Sequence, residues 1–226
     1  MSRPGDDGAR GGIVVLISGR GSNALAIIEA AASDWFPARV LAVVADRKAA
    51  GIERAAARGV DTASVLRTAH PDRERFEDAL AEVIDGYRPD LIALAGFMRV
   101  LSADFVRRYR GRMVNIHPSL LPRHRGLNTH ARALADGDPV HGASVHWVTP
   151  ELDAGPVVAQ ARVPVRADDT EQRLALRVLE QEHRLYPAAL ALLCSDPVTY
   201  SHENPLVPPP VLDRDLDDRG RIVRSR

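Results

Sequence analysis

The segment MVNIHPSLLP, residues 113–122, places an amide and an imidazole at the end of an apolar run. Side chains alternate along a β-strand, so Asn115 and His117 are expected on the same face, and Pro118 should end the strand's hydrogen bonding. Burying two such polar groups costs free energy unless each has a partner or a function. An amide can donate to a developing oxyanion and an imidazole can transfer a proton, which makes the pair a candidate catalytic site.

A carboxylate that can complete this pair follows in ELDAGP, where Asp153 precedes a Gly–Pro turn and is expected on a loop between strands. A carboxylate beside an imidazole orients the ring and favours its charged form. Asn115, His117 and Asp153 together suit acyl-type transfer. No serine or cysteine is placed to take an acyl group, since Cys194 lies in a predicted helix without a motif around it. Direct attack by a substrate amine is therefore the simpler chemistry.

The loop SGRGSN, residues 18–23, follows the first predicted strand and opens the first predicted helix. Its glycines permit a tight turn and a close approach of the backbone, and the free N–H groups at a helix start favour an anion. Ser22 and Asn23 add side-chain donors, and either can also cap the helix. The loop is either a capped turn or a phosphate site, and we favour the phosphate site.

A dinucleotide site is the rival interpretation of the same loop. Gly19, Gly21 and Ala24 satisfy G-x-G-x-x-A, and Asp46 ends the second predicted strand. This pattern is typical of NAD-binding proteins, although it is short. From this region alone, an oxidoreductase or a non-catalytic nucleotide-binding module stays open.

Apolar runs that alternate with helical patterns predict the elements that must position these residues. The runs predict buried strands at 13–17, 40–45, 91–97 and 113–117, and a later β pair at 143–148 and 156–165. Helical patterns cover 22–33, 49–58, 72–87 and 102–109, and a long helix over about 170–194 should be broken or kinked at Pro187. The order predicts an α/β fold: a doubly wound, mostly parallel sheet with helices on both faces and an antiparallel addition in the C-terminal half.

Composition excludes several classes of protein. Apolar residues make up 45% of 226 residues, enough for a sizeable core, and the formal net charge is zero, which disfavours nucleic acid or an anionic membrane as partner. No apolar run reaches membrane-spanning length, and the N-terminus lacks the apolar core of a signal peptide. Cys194 is the only cysteine, so no intrachain disulfide can form, and we expect a cytoplasmic protein. Neither H-E-x-x-H nor Cys/His ligand spacing occurs, so we expect no metal.

We divide the chain into three parts on composition. The glycine and charged residues of 1–12 predict a flexible lead-in. Residues 13–204 are predicted to form a single domain. Residues 205–226 are Pro-rich and then charged, which predicts an extended or disordered tail.

Five motifs in this order resemble the phosphoribosylglycinamide formyltransferases: SGRGSN, AGFMRVLS, VNIHPSLLP, HGASVHWVTPELDAGPVVAQ and LEQEHRLYP. The resemblance extends over roughly 13–204. It implies a Rossmann-like formyltransferase fold and transfer of a formyl group from 10-formyltetrahydrofolate to the amine of glycinamide ribonucleotide, in purine synthesis. The expected partners are these two small molecules, with no nucleic acid and no membrane, and the expected assembly is a monomer or homodimer.

The resemblance also implies a role for particular residues. Asn115, His117 and Asp153 match the catalytic trio. The substrate's phosphate would be bound by Arg20, Gly21, Ser22 and Asn23, and its ribose and glycinamide side by Glu182. The N-terminal half of the domain would hold the ribonucleotide-phosphate site and the C-terminal half the folate site. The folate site would be lined by the loop around 149–153 and by Arg73, Met98, Arg99, Val100 and Leu101. The Leu121–Pro122 bond is expected to be cis.

Two positions depart from the family's usual pattern. Asn128 stands where these enzymes often carry histidine, and Ala24 where leucine is usual. Neither belongs to the expected catalytic trio.

Other folate enzymes stay open as alternatives. In a formyltetrahydrofolate hydrolase we would expect a regulatory domain ahead of the first strand. In a methionyl-tRNA formyltransferase we would expect a sizeable C-terminal domain with a basic surface.

Overall fold

The fold is built on one seven-stranded sheet, seen in a computed structural model that describes residues 11–195. The strands are β1 (Gly11–Ile17), β2 (Ala38–Ala45), β3 (Asp61–Ser64), β4 (Leu91–Leu94), β5 (Met113–His117), β6 (Val140–Trp147) and β7 (Val157–Pro164). Their order across the sheet is β3-β2-β1-β4-β5-β6-β7. Neighbouring strands from β3 to β5 are parallel, whereas β6 and β7 pair antiparallel. The predicted α/β fold with an antiparallel addition is confirmed.

Within residues 11–195, six helices cover the two faces of the sheet. They are α1 (Ser22–Ala31), α2 (Ala50–Ala56), α3 (Arg73–Tyr87), α4 (Ala103–Arg108), α5 (Thr129–Ala135) and α6 (Glu171–Ser195), with a short 3-10 turn at Arg67–Ala69. Alternate residues of β1 enter opposite cores, as strand geometry requires. Ile13 and Val15 pack with buried residues of α1 and α6, while Val14 and Leu16 pack with buried residues of α3 and α4.

Helix α3 shows how local sequence specifies an element. The Asp72 carboxylate accepts a hydrogen bond from the Arg75 backbone N–H at 2.8 Å and so caps the helix. Phe76, Leu80 and Ile84 recur at helical spacing and are all buried on the sheet. A polar outer face and an apolar inner face thus anchor the helix beside the loop that follows β4.

Loops after the parallel strands meet at the carboxyl edge of the sheet, where open α/β sheets bind ligands. The Met98 backbone N–H donates to Ser18 Oγ at 2.8 Å, which ties the loop after β4 to the loop after β1. The buried Tyr186 hydroxyl of α6 donates to the carbonyls of Leu94 and Val114 at 3.0 and 3.1 Å. These bonds hold the ends of β4 and β5 in register beneath the loops.

Several elements differ from the predictions. Strand β4 ends at Leu94, before the predicted residue 97, because Gly96 adopts φ 76° and turns the chain. Strand β3 and helix α5 were not predicted. Helix α6 is not broken at Pro187 but continues to Ser195. Proline removes one backbone hydrogen bond, and the buried residues around Pro187 hold the helix against the sheet.

Two further points concern the backbone and the ends of the chain. The Leu121–Pro122 bond is cis, as the family resemblance predicts. Strand β1 begins at Gly11, whereas the rest of the predicted lead-in, residues 196–204 and the predicted tail lie outside the described residues. The three-part division therefore stays a prediction. No helix within 11–195 has the length and apolar character needed to span a membrane.

Candidate active site

The structure brings Asn115, His117 and Asp153 together at the end of β5. His117 Nδ1 lies 3.5 Å from Asp153 Oδ2, and both side chains are less than a tenth exposed. Asn115 is two residues away on the same strand, and it lines a pocket with Asp153. Asn115 and His117 therefore lie two residues apart on one strand, as the sequence predicts.

The ring of His117 is held by a backbone group on its other nitrogen. His117 Nε2 lies 3.0 Å from the carbonyl oxygen of His124, which can only accept a hydrogen bond, so Nε2 carries a proton. This bond leaves Nδ1 as the nitrogen that faces Asp153. The arrangement suits a side chain that takes part in proton transfer.

The amide of Asn115 is oriented by His146, its partner in the β5–β6 register. Burial lowers the pKa of His146 to about 4, so the ring is neutral at physiological pH. His146 Nδ1 lies 3.0 Å from the Trp147 carbonyl and must donate to it. The neutral ring then has only Nε2 as an acceptor, and Asn115 Nδ2 donates to it at 3.1 Å. The second N–H of the amide stays available to a developing oxyanion.

Asp153 occupies a turn that the sequence ELDAGP makes possible. Its backbone has φ 48°, and its Oδ2 accepts a hydrogen bond from the Gly126 backbone N–H at 2.9 Å. A Cβ at Gly155 would lie 1.8 Å from the Trp147 carbonyl oxygen, so only glycine lets the loop approach β6 this closely. Asp153 Oδ1 lies 3.7 Å from His146 Nε2, so the carboxylate spans both histidines.

The glycine loop forms the start of α1, as predicted. Gly21 adopts φ 71° at the helix N-cap, and α1 begins at Ser22. Asn23 Nδ2 donates to Glu182 Oε2 at 2.7 Å, which joins two residues 159 positions apart. Asn23 Oδ1 is buried and has no hydrogen-bond partner among residues 11–195, and burial raises the pKa of Glu182. These two polar groups are placed to contact a ligand held at the helix N-terminus.

The segment after β4 forms a second wall beside Asn115 and Asp153. Met98 and Val100 are 63% and 66% exposed, whereas the apolar residues that flank them, Phe97 and Leu101, are buried. Arg99, Val100 and Leu101 line the pocket that contains Asn115 and Asp153. An adjoining cavity is lined by the five single residues predicted for the folate site, Arg73, Met98, Arg99, Val100 and Leu101. The predicted loop around 149–153 does not line this cavity but lines the pocket that contains Asn115.

Asp46 is engaged in a way that disfavours the dinucleotide interpretation. Its side chain is fully buried, and Arg99 Nε donates to Oδ2 at 2.6 Å. Arg47 donates to both carboxylate oxygens. Burial alone would raise the pKa of Asp46, but hydrogen bonds from Arg47, Ser18 and Arg99 outweigh it and lower the pKa. The carboxylate therefore serves to hold Arg99 and is not free to bind a ribose.

Three residues at the site were not predicted from the sequence. His146 and His124 contact the predicted residues Asn115 and His117, and Arg67 lines the cavity that also contains Arg73. HGASVHW presents His146 at strand alternation, a signal of the kind used for Asn115 and His117. Nothing in the sequence near His124 or Arg67 separates them from other polar loop residues.

No group of three or more His, Cys, Asp or Glu side chains in the described part of the chain is placed to hold a metal ion. The expectation of a metal-free site stays a prediction.

Comparison with known proteins gives one consistent result. The family model described as formyl transferase matches residues 12–190. The phosphoribosylglycinamide formyltransferase of Escherichia coli strain K12 is 49% identical over 193 residues, covering 85% of this chain and 91% of that protein. The solved enzyme of the same name from Coxiella burnetii is 45% identical with a TM-score of 0.82, covering 87% of this chain and 92% of that one. Glycinamide ribonucleotide transformylase 1 from Symbiobacterium toebii is 40% identical with a TM-score of 0.83, covering 89% and 95%. The chain therefore belongs to the formyl transferase family, among the phosphoribosylglycinamide formyltransferases.

Proposed function

We propose that this protein transfers the formyl group of 10-formyltetrahydrofolate to the amine of glycinamide ribonucleotide, a step of purine synthesis. The observation that carries the proposal is the meeting of Asn115, His117 and Asp153 at one end of β5, beside the pocket wall formed by 99–101. Relatives 40–49% identical over most of their length carry the name of this activity. We propose that the protein is located in the cytoplasm.

The proposed reaction is a direct attack. The substrate amine adds to the formyl carbon, and the negative charge that develops on the formyl oxygen is stabilised by the free N–H of Asn115 and by protonated His117. The new C–N bond then remains while the bond to the folate nitrogen breaks. The proton lost by the amine reaches the folate nitrogen through His117, Asp153 and water.

A covalent route through cysteine is disfavoured by position. Burial raises the pKa of Cys194 to about 12, so its thiol stays protonated at neutral pH. Its sulfur would contact a Cβ placed on Gly11, at the start of β1 and thus at the opposite edge of the sheet. Cys194 is therefore too far from the carboxyl ends of the strands to attack a formyl group there.

We place the ribonucleotide at the start of α1. The phosphate is bound by Arg20 and by the N–H groups of Gly21, Ser22 and Asn23, where the helix dipole favours an anion. Glu182, joined to Asn23, contacts the ribose and glycinamide side. Helix α1 has 10 residues, so its peptide dipoles add up at the N-terminus where the phosphate is placed. The unpartnered Asn23 Oδ1 also supports this assignment.

We place the folate along the segment after β4. The exposed apolar side chains of Met98 and Val100 offer surface for a planar ring, and Leu101 closes the pocket behind them. Arg73 and Arg99 line the adjoining cavity and can attract the carboxylates of the folate's glutamate. In this scheme the protein binds both small molecules and needs no nucleic acid, membrane or metal. It acts as a monomer or homodimer.

A transfer assay tests the proposal. Purified protein is mixed with 10-formyltetrahydrofolate and glycinamide ribonucleotide, and the formylated ribonucleotide is detected by mass spectrometry. Water alone and methionyl-tRNA serve as competing acceptors, and NAD(H) absorbance is followed in parallel. Product with the ribonucleotide only is expected. Formate release without it, formylation of the tRNA, or oxidation of NADH would each contradict the proposal.

A further inference from the structure

The catalytic imidazole depends on the position of one carbonyl group. The bond from His117 Nε2 to the His124 carbonyl is buried and 3.0 Å long, and it turns Nδ1 toward Asp153. A change in the direction of this carbonyl would rotate the ring or release it. What holds residue 124 in place therefore controls how His117 faces the substrate.

His124 has a backbone conformation that needs outside support. It adopts φ 53°, in the left-handed region, which costs a residue with a side chain about 1–2 kcal/mol. Such conformations persist where the surroundings fix them. The side chain supplies that support, because His124 Nε2 lies 2.6 Å from Asp138 Oδ2, and both side chains are 4% exposed.

Asp138 is itself fixed by the elements on either side of it. It lies between α5 and β6, its backbone N–H donates to the Ala133 carbonyl at 3.0 Å, and its Oδ1 accepts from Arg123. The other nitrogen of His124 lies 3.8 Å from Asp136, whose side chain is 58% exposed. His141 packs edge-on against the His124 ring at 5.9 Å between centroids. The buried contact is thus with Asp138, and the contact with Asp136 is weak and screened by solvent.

We propose that His124 and Asp138 are positioning residues for formyl transfer: their side-chain contact sets the carbonyl that holds His117. The expected effect on catalysis rests on the proposed function. The hydrogen bond from His117 Nε2 to the His124 carbonyl, however, exists without any substrate. Neither residue touches the reacting atoms, so their effect should fall on kcat and on the His117 ring, and not on substrate binding.

Asp138→Ala removes the acceptor of His124, and Asp138→Asn keeps an acceptor oxygen without the charge. We expect kcat to fall by about 10- to 100-fold in Asp138→Ala, the range for misplacing a catalytic group by a fraction of an ångström to 1 Å. In Asp138→Asn we expect a smaller loss, of about three- to tenfold. Both KM values should stay within about threefold of wild type. Asp136→Asn is the matched control and should leave kcat unchanged.

A second readout separates positioning from general loss of structure. In a 15N-labelled sample of the wild-type protein, the His117 Nε2–H, identified by its absence in His117→Ala, should give a slowly exchanging proton signal. This signal should be broadened by exchange or lost in both Asp138 variants and kept in Asp136→Asn. If Asp138→Ala does not fold, Asp138→Asn alone decides. A folded Asp138 variant with wild-type kcat or with an unchanged His117 signal would overturn the inference. If the wild-type protein transfers no formyl group, the proposed function fails while the signal still tests the positioning.

Discussion

At the scale of single residues, the chemistry of the site depends on which nitrogen of each histidine carries a proton. His146 must donate to the Trp147 carbonyl and therefore accepts from Asn115, whereas His117 must donate from Nε2 to the His124 carbonyl and therefore turns Nδ1 toward Asp153. The two rings lie 6.5 Å apart and nearly perpendicular, with Asp153 between them. One histidine thus orients an amide while the other contacts the carboxylate of Asp153.

Replacing Asp153 tests the contact between its carboxylate and His117. Asp153→Asn keeps the shape but removes the carboxylate next to His117, so under the proposed mechanism we expect kcat to fall by about 10²–10⁴-fold. His117→Ala should cost a similar factor. Because the two side chains act as a unit, the double variant should lose far less than the product of the two factors. The measurements are kcat and both substrate dissociation constants, and the dissociation constants should change little. Near-wild-type kcat in Asp153→Asn, or losses that simply multiply, would refute the assigned mechanism.

Replacing His146 tests the contact between its neutral ring and the Asn115 amide. His146→Leu removes the acceptor that orients the Asn115 amide, and we expect kcat to fall by about tenfold, the equivalent of one net hydrogen bond. His146→Gln offers a side-chain oxygen as acceptor and should retain more activity than the leucine variant. Steady-state kinetics on the two variants, with thermal unfolding as a check of folding, make the comparison. Equal activities in the two variants would show that the acceptor at this position is unimportant.

At the scale of elements, the loop before α1 combines a left-handed glycine with a neighbouring helix. Gly21 has φ 71°, and a Cβ there would lie 3.0 Å from the Cα of Gly51 in α2. The loop therefore can place its N–H groups at the start of α1 only while residue 21 is glycine.

Gly21→Ala should accordingly weaken substrate binding. We expect the KM for glycinamide ribonucleotide to rise by about tenfold and the affinity for inorganic phosphate to fall in parallel, with kcat changed much less. Gly59→Ala is the matched control, because Gly59 has φ 74° but no atom within 4 Å of the added Cβ. Both variants carry similar backbone strain, so both should lose about 1 kcal/mol of stability. An equal rise in KM in the two variants would argue against a phosphate site at α1.

At the scale of the whole molecule, several buried histidines are kept neutral by the fold. Burial lowers the pKa of His141 and of His146 to about 4, from an ordinary value near 6.5. Between these two values the unfolded chain binds protons that the folded protein does not. Stability is therefore undiminished above about pH 6.5 and is lost progressively as the pH falls toward about 4.

We expect each of these two histidines to remove roughly 2–4 kcal/mol of stability over that interval. Urea unfolding at a series of pH values between 7 and 4 measures the total. His141→Gln removes one titrating group, so its stability should depend less steeply on pH than that of the wild-type protein, whatever its stability at pH 7. The charged and titratable groups that face His141, namely His130, His124 and Asp138, are the same in both proteins. Parallel curves for the two proteins would mean that His141 is not kept neutral.

Much of the fold follows from local sequence alone. In the part of the chain that the structure describes, the apolar runs predict six of the seven strands and the helical patterns predict five of the six helices, because side-chain periodicity and caps act over a few residues. Strand β3 has only four residues, none of them fully buried, and α5 is short, so neither has a strong local pattern. Asn128, one of the departures from the family pattern, precedes α5 with φ 56°, a conformation that asparagine tolerates better than most residues.

The sequence by itself determined the α/β class and the shared face of Asn115 and His117, whereas the family resemblance predicted the folate and ribonucleotide residues. Only the tertiary structure decided how the side chains proposed to be catalytic are held. His146 meets Asn115 through antiparallel pairing of β5 with β6, His124 meets His117 through a loop, and Glu182 meets Asn23 across 159 positions. Contacts of this kind depend on how separate elements pack together, and no periodicity within a single segment encodes that packing.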